Sequence, residues 1–319
     1  MRSSPGDSGE AISSNGRDYR VPSVSVIVPV YNSEKWVGRC IEALLKQSYP
    51  REAYEVILVD NNSTDGSHDI ARRYDGITLL NESRQGSYAA RNCGVRASKG
   101  EILAFTDADC VAAPTWLAEL IKPFAKPEVC IVQGRRQFAG ETNLLSILSH
   151  YEDARAAYTF SPPGKGTHYG YTNNMAVRRS VFECCGPFRA IWRGADSLFV
   201  DRVITRFSHD AVRYAPSAAI QHLEMTSVWT WWRKKTLYGR SYERTVALRK
   251  SHEGLSLRQR RDIIRGAIRS GGYAGLQAML LVVLAGAGAT AFQFGRIPGA
   301  LDVRLERMRG RTDEDSSRV

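Results

Sequence analysis

A doubly wound α/β fold, with a mixed but mostly parallel sheet flanked by helices, is what this 319-residue sequence predicts. Two observations carry that expectation. Short, β-branched apolar runs alternate with segments of helical apolar spacing, and polar residues gather just beyond the runs.

Val24 to Val30 (VSVIVPV) reads as a buried parallel strand, closed by Pro29 and the polar Asn32 and Ser33. Glu34 to Lys46 follows as a helix, with Trp36, Val37, Cys40, Ile41, Leu44 and Leu45 at helical spacing. Tyr54 to Val59 (YEVILV) is the second strand. It stops at Asp60-Asn61-Asn62-Ser63-Thr64-Asp65-Gly66, cap and turn residues that open a helix around Ser67 to Tyr74. Ile77 to Leu80 is a third strand, Tyr88 to Ala97 a third helix, Glu101 to Thr106 (EILAFT) a fourth strand, and a helix lies near Pro114 to Ile121. The second half is less regular. It holds a Pro/Gly loop at Ser161 to Gly166, a strand near Tyr171 to Val177, and helices near Arg179 to Cys184 and Asp196 to Phe207.

In an open α/β sheet, ligands sit beyond the carboxyl ends of the strands. Those ends carry Pro29-Val30-Tyr31-Asn32, then Asp60, then Asp107-Ala108-Asp109. No GxGxxG follows the first strand and no GxxxxGK[ST] occurs, which speaks against a dinucleotide fold and a P-loop enzyme. Asp107 and Asp109 flank one residue in a tight turn, so both carboxylates reach the same small region. Hard oxygen ligands of this kind suit Mg²⁺ or Mn²⁺; the same turn also reads as an acidic cap of the next helix.

Composition (43% hydrophobic, 24% charged) is that of a globular chain with room for one large domain and an appendage. Residues 1–20 are polar without an apolar stretch and read as a disordered lead that is not a secretory signal, so the rest is expected to fold in the cytoplasm. Six cysteines without CxxC spacing read as reduced, packed thiols. The net charge of +11 is local: between Arg233 and Arg269 twelve Lys/Arg stand against three acids. An uncharged segment, Ser270 to Gly295, follows and contains the nineteen-residue apolar stretch Leu276 to Phe294. Basic residues beside an apolar segment point to an anionic membrane surface and away from nucleic acid.

Four motifs in order, VSVIVPVYNSEKWVGRCIEALLKQSYP, EVILVDNNSTDGS, GSYAARNCGVRASKGEILAFTDADC and TNNMAVRRSVFECCGPF, resemble glycosyltransferase family 2 on a GT-A fold, from about Val24 to Tyr242. The resemblance implies a metal-dependent, hexosyltransferase-like enzyme taking a sugar from a nucleoside-diphosphate donor with Mn²⁺ or Mg²⁺ as cofactor. It implies that Pro29, Tyr31 and Glu34 border the nucleoside, that Asp60 holds the base, that Arg91 approaches the nucleotide, that Asp107 faces ribose and metal, and that Asp109 is the principal metal ligand. It also implies a general base, since an acceptor hydroxyl must lose its proton as it attacks. The matching stretch is Arg193-Gly194-Ala195-Asp196-Ser197-Leu198-Phe199, where Asp196 is the implied base of a single, inverting displacement. The family's preceding Glu is Ala195 here, a departure bearing on the acceptor. His222 resembles a third metal ligand of some GT-A enzymes, or is structural. Asn173 and Asn174 resemble a loop facing donor sugar and acceptor; they hold sugar hydroxyls or shape a turn.

The expected organisation is thus a lead over residues 1–20, a GT-A domain over 21–242, and a basic and apolar helical region over 243–319 whose tail is disordered from about residue 308. Trp229, Trp231 and Trp232 stack on a sugar, sit at a membrane interface or pack in the core. Leu276 to Phe294 is long enough to span a bilayer but rich in Gly and Ala, with basic residues on both sides; a surface-lying or re-entrant helix explains that symmetry better than a span. The expected place is the cytoplasmic face of the membrane, with a carbohydrate or lipid-linked acceptor. Ala195 also motivates an alternative, a catalytically silent nucleotide-sugar-binding or scaffold protein at the membrane.

Overall fold

The first apolar run forms β1 (Val24–Val30) at the heart of a sheet of eight strands. The computed structural model describes residues 21–140, 142–160, 169–248 and 255–308. The expected lead, the Pro/Gly loop at 161–166 and the C-terminal tail from 309 onward lie outside these residues. The other strands are β2 (Tyr54–Asp60), β3 (Thr78–Asn81), β4 (Ile102–Thr106), β5 (Cys110–Ala112), β6 (Ile131–Phe138), β7 (Asn174–Arg178) and β8 (Val212–His222), in spatial order β3-β2-β1-β4-β7-β6-β8-β5.

The first four strands are parallel to one another, as the alternation of strand and helix predicts. Beyond β4 the sheet becomes mixed: β7 runs antiparallel to β4 and β6, β8 is parallel to β6, and the short β5 pairs antiparallel with β8. Strand residues alternate between faces. Val26 and Val28 therefore enter one core with Trp116 and Leu117, while Ile27 enters the other with Phe105, Phe188 and Phe199.

Helices α1 (Val37–Leu45), α2 (Ser67–Ala71), α3 (Ser87–Ala97) and α4 (Trp116–Ile121) link the first strands. Their positions lie close to the expected segments. Gly94 lets α3 settle on β1, because a Cβ there would stand 2.6 Å from the Ile27 side chain. Next come α5 (Asn143–Thr159), α6 (Arg179–Cys185) and α7 (Ala195–Arg206). The C-terminal part is helical: α8 (Val228–Ala247), α9 (Leu257–Ser270), which opens with a Ser256/Gln259 capping box, and α10 (Gly275–Met308).

The boundary expected at residue 242 falls inside α8. Of the basic residues that suggested an appendage, the described ones lie on α8 and α9, and Trp231 of α8 and Ala267 of α9 are buried in a third core with Leu145, Leu148, Met225 and Leu281, so α5, α8, α9 and α10 pack as one layer. Backbone contact holds α10 against α8: a Cβ on Gly295 would lie 1.9 Å from the Thr236 carbonyl oxygen, and one on Gly299 2.3 Å from that of Arg240.

Candidate active site

The loops at the carboxyl ends of β1 and β2 are tied together by their own polar residues. Asn32 adopts the left-handed conformation (φ 45°) and its side-chain oxygen accepts from Thr64 N at 2.8 Å. Asn61 donates to the Glu82 and Arg84 carbonyls and accepts from Gly86 N at 2.6 Å. Glu34 accepts from Gly66 N at 3.0 Å, and its own N–H donates to Asp65. Asp60 is buried, accepts from Ser63 N and lies 3.5 Å from His68 Nδ1. Both acids knit loops. Among the sequence-predicted donor residues, Pro29, Tyr31, Arg91, Asp107 and Asn173 line one cavity of about 950 Å³, whereas Glu34 and Asp60 stand behind its wall.

Across that cavity lies the Asp107-Ala108-Asp109 turn between β4 and β5. Arg91, buried on α3, donates to the Asp107 carboxylate. Register places Cys110 of β5 opposite His222 of β8, which brings His222 Nδ1 to 3.5 Å from Asp109 Oδ2. Asp109, Cys110 and His222 place ligand atoms within 4.8 Å of one another. Burial, reinforced by Lys234, pushes the imidazole down to about 3, so His222 is neutral at physiological pH, and its buried Nδ1 has no hydrogen-bond partner. Burial raises Asp109 above the usual carboxylate range despite the nearby Lys234. The thiols of Cys110 and Cys40 are pushed far up by burial and by the two aspartates; the six cysteines are free.

Asp196 enters the same cavity from the first turn of α7. It accepts from Ser197 N at 2.8 Å and from Thr172 N at 3.4 Å, and burial raises its carboxyl above its ordinary value. Two positions near it lie off the cavity wall, Asn174 and Ala195, whereas Asn173, in the turn before β7, lies on it. Asn174 is fully buried, donating to the Arg135 and Ala218 carbonyls and accepting from Trp116 Nε1 at 2.8 Å, which leaves it no amide for a sugar. Asn173 lines the cavity with a buried, unpartnered Oδ1. Ala195, where the resemblance placed a missing carboxylate, is fully buried in the apolar core beside Phe199. A Glu at this position would enter hydrocarbon, so the departure from the family pattern does not touch the cavity wall.

The family model for glycosyl transferase family 2 matches residues 25–197. The chain belongs to that family. It is 34% identical over 208 residues to the glycosyltransferase AglE of Haloferax volcanii, a match covering 62% of this chain and 68% of the relative. It is also 30% identical over 182 residues to the β-monoglucosyldiacylglycerol synthase of a Nostoc species, covering 52% of this chain and 38% of that protein. Among solved structures, the mannosyltransferase PcManGT from Pyrobaculum calidifontis, determined with GDP-Man and Mn²⁺, shares the fold at TM-score 0.57 and 19% identity, covering 92% and 89% of the two chains. The protein is accordingly a glycosyltransferase of the type that uses nucleotide-sugar donors.

The far wall of the transferase cavity was not legible in the sequence. Arg136 comes from β6, Glu152 and Arg155 from α5, and Lys234 and Lys235 from α8. Glu152 is bracketed by Lys235 Nζ at 2.5 Å and Arg155 at 2.8 Å. Burial alone would raise its carboxyl, but Arg155 and Lys235 outweigh that and hold it at about 2. Trp231 donates to Glu152 at 3.3 Å, while Trp229 is 67% exposed and stacks on Trp232. The double arginine in QGRRQF was the available signal, inside a segment whose alternation is too weak to read as a strand.

Proposed function

We propose that this transferase is a divalent-metal-dependent, inverting enzyme that moves a sugar from a nucleoside diphosphate to an acceptor hydroxyl of a membrane-linked glycan or lipid. The observation carrying this reading is the meeting, in one cavity, of Asp109, a neutral His222 with an orphaned Nδ1, and Asp196. Carboxylate and neutral imidazole are the donor set for Mn²⁺ or Mg²⁺, with Asp107 as a further oxygen ligand. A cation held by these residues would supply neutralisation of the charge that develops on the departing diphosphate.

The protein's own residues do the rest. Pro29 and Tyr31 border the nucleoside, Arg91 fixes Asp107 toward it, and Glu34 and Asp60 hold the loops that shape this slot. Asn173 offers its free Oδ1 to a sugar hydroxyl. Asp196 takes the acceptor proton; its raised affinity for protons suits a base working near neutral pH. The acceptor oxygen bonds to the anomeric carbon as the bond from that carbon to the diphosphate oxygen breaks, the electron pair leaving with the nucleoside diphosphate. One displacement inverts the configuration.

The C-terminal layer supports the membrane-linked acceptor. Residues Gly275–Leu305 of α10 are long and apolar enough to cross a membrane, yet one face is sealed against α8. The other face exposes Leu276, Met279, Val283, Phe294, Ile297 and Leu301. Arg258, Arg261, Arg265 and Arg269 are exposed at helical spacing along the adjacent α9. An apolar stripe beside a cationic stripe suits a helix lying in the plane of an anionic membrane surface. The relative that makes a glucosylated diacylglycerol acts on a lipid.

The test is a thermal-shift screen of nucleotide sugars with and without Mn²⁺, followed by nucleoside-diphosphate release with acceptor. Metal-dependent stabilisation and turnover that both vanish in Asp109→Ala are expected; unchanged turnover in that variant overturns the proposal. Nucleotide-sugar binding without release under any condition, and indifferent to Asp196→Asn, would favour a silent binding protein.

A further inference from the structure

The cavity continues past Asp196 into a chamber whose cations exceed its anions. Arg136, Arg155 and Lys235 face it, against the single carboxylate of Glu152, which Arg155 and Lys235 already share. Lys234 is neutralised by Glu224 at 2.7 Å. Arg136 has no directly bonded counter-ion: its guanidinium lies 3.8 Å above the Tyr171 ring and makes no hydrogen bond or ion pair among the described residues, with Glu152 acting on its charge from farther off. Tyr169 Oη and Arg155 Nε are buried and likewise unpartnered. Arg136 is half-buried, so its guanidinium keeps donors open toward the cavity that an anion would fill. Three donors pointing into one chamber supply the fork geometry that phosphate oxygens accept.

The chamber adjoins the proposed acceptor position. Tyr171, under Arg136, is followed by Thr172, whose N–H donates to the Asp196 carboxylate at 3.4 Å. From the cations the wall turns apolar, through Trp231 of α8 and Ala285, Ala289 and Phe292 of α10. Phe292 and its neighbours belong to the helix whose opposite face is the exposed apolar stripe.

We infer that the acceptor of this transferase carries a phosphate group, held by Arg136 with Arg155, Lys235 and Tyr169, while its hydroxyl is offered to Asp196. The inference rests on the transferase reading for the role of Asp196, but the anion site stands on its own geometry. Either a phospholipid-type carrier or a soluble phosphoester presents this chemistry, and the apolar wall on α10 favours the first.

The experiment uses the full chain, saturated with Mn²⁺ and the nucleoside diphosphate selected by the thermal-shift screen, so that the donor diphosphate position is filled. Titration calorimetry then compares hexyl phosphate, glycerol 1-phosphate and hexyl β-glucoside. Hexyl phosphate is expected to bind at least about tenfold tighter than the neutral glucoside. Arg136→Gln is expected to remove that preference and Arg136→Lys to restore part of it, with nucleoside-diphosphate affinity as the control for folding. Tighter binding of hexyl phosphate than of glycerol 1-phosphate supports a lipid carrier, and equal binding a soluble phosphoester; both support the phosphate site. Equal affinity for phosphate and glucoside in the wild-type chain, or phosphate affinity unaltered in Arg136→Gln, overturns it. Loss of donor turnover with phosphate binding intact would strike the catalytic reading alone.

Discussion

Asp109, in the turn that leads into β5, and His222, at the end of β8, stand more than a hundred residues apart in sequence, and their chemistry depends on the short β5–β8 pairing that joins them. Replacing Asp109 by Ala removes the carboxylate of the proposed metal pair, and turnover should fall about 10²-fold or more, read as nucleoside-diphosphate release at saturating Mn²⁺. Asp196→Asn keeps the hydrogen-bond frame but cannot take a proton. Its expected signature is a fall in kcat of about 10²–10⁴-fold with donor binding preserved. Glu152 makes a different prediction. Its folded-state value of about 2 lies below the ordinary 4.5, so the unfolded chain takes up a proton first as pH falls. The stability contributed by the Glu152 cluster is present above about pH 4.5 and is lost as pH drops toward 2. Urea midpoints at pH 5 and pH 3 should therefore converge for wild type and Glu152→Gln, the variant being the less stable at pH 5.

The contact between α8 and α10 shows why the last helix is rich in glycine. Gly288 receives the Trp231 ring, with a Cβ position only 2.2 Å from it, and Gly295 and Gly299 receive the backbone of α8. A side chain at Gly295 meets backbone, which cannot rotate away. Gly295→Leu should separate the helices, lower the unfolding temperature and cost about 1–3 kcal/mol by overpacking; calorimetry of wild type against Gly295→Ala and Gly295→Leu orders the effect by side-chain size. In the sequence the same glycines dilute the hydrophobicity of the stretch and obscure its purpose. The strands Val24–Val30 and Tyr54–Asp60 lay open to reading because they are buried on both faces and mostly apolar. β6 did not, because its outer half, Arg135-Arg136-Gln137, leaves the core, and only Arg136 of the three lines the cavity.

Over the whole molecule, one end of the sheet carries the donor residues and the C-terminal layer closes the cavity opposite them. The arginine stripe on α9 and the apolar stripe on α10 belong to this closing layer, so binding to a membrane would hold the acceptor side of the cavity near lipid. Each arginine near an anionic surface contributes about 1 kcal/mol. Arg261→Glu with Arg265→Glu should weaken binding to vesicles containing phosphatidylserine by more than about tenfold, measured by flotation, while donor binding in solution stays unchanged. Equal binding of wild type to neutral and anionic vesicles would argue against the electrostatic part of this surface.

Local pattern was enough to reveal the fold class and to single out Pro29, Asp107 and Asp109, which line the cavity. Strands buried on both faces, their terminal Pro29, Asp60 and Asp109, and the turn residues between them are written in short segments whose spacing reflects local backbone geometry. The closing wall was decided only by tertiary structure. Asn173 and Asn174 look interchangeable in sequence until the turn before β7 leaves Asn173 at the cavity and the first residue of β7, Asn174, bonded to Trp116. Ala195 reads as a departure bearing on the acceptor until α7 turns it into the core. Arg136, Glu152 and Lys235 are ordinary charges on separate elements until packing brings them together, and long-range packing has no period a sequence can display.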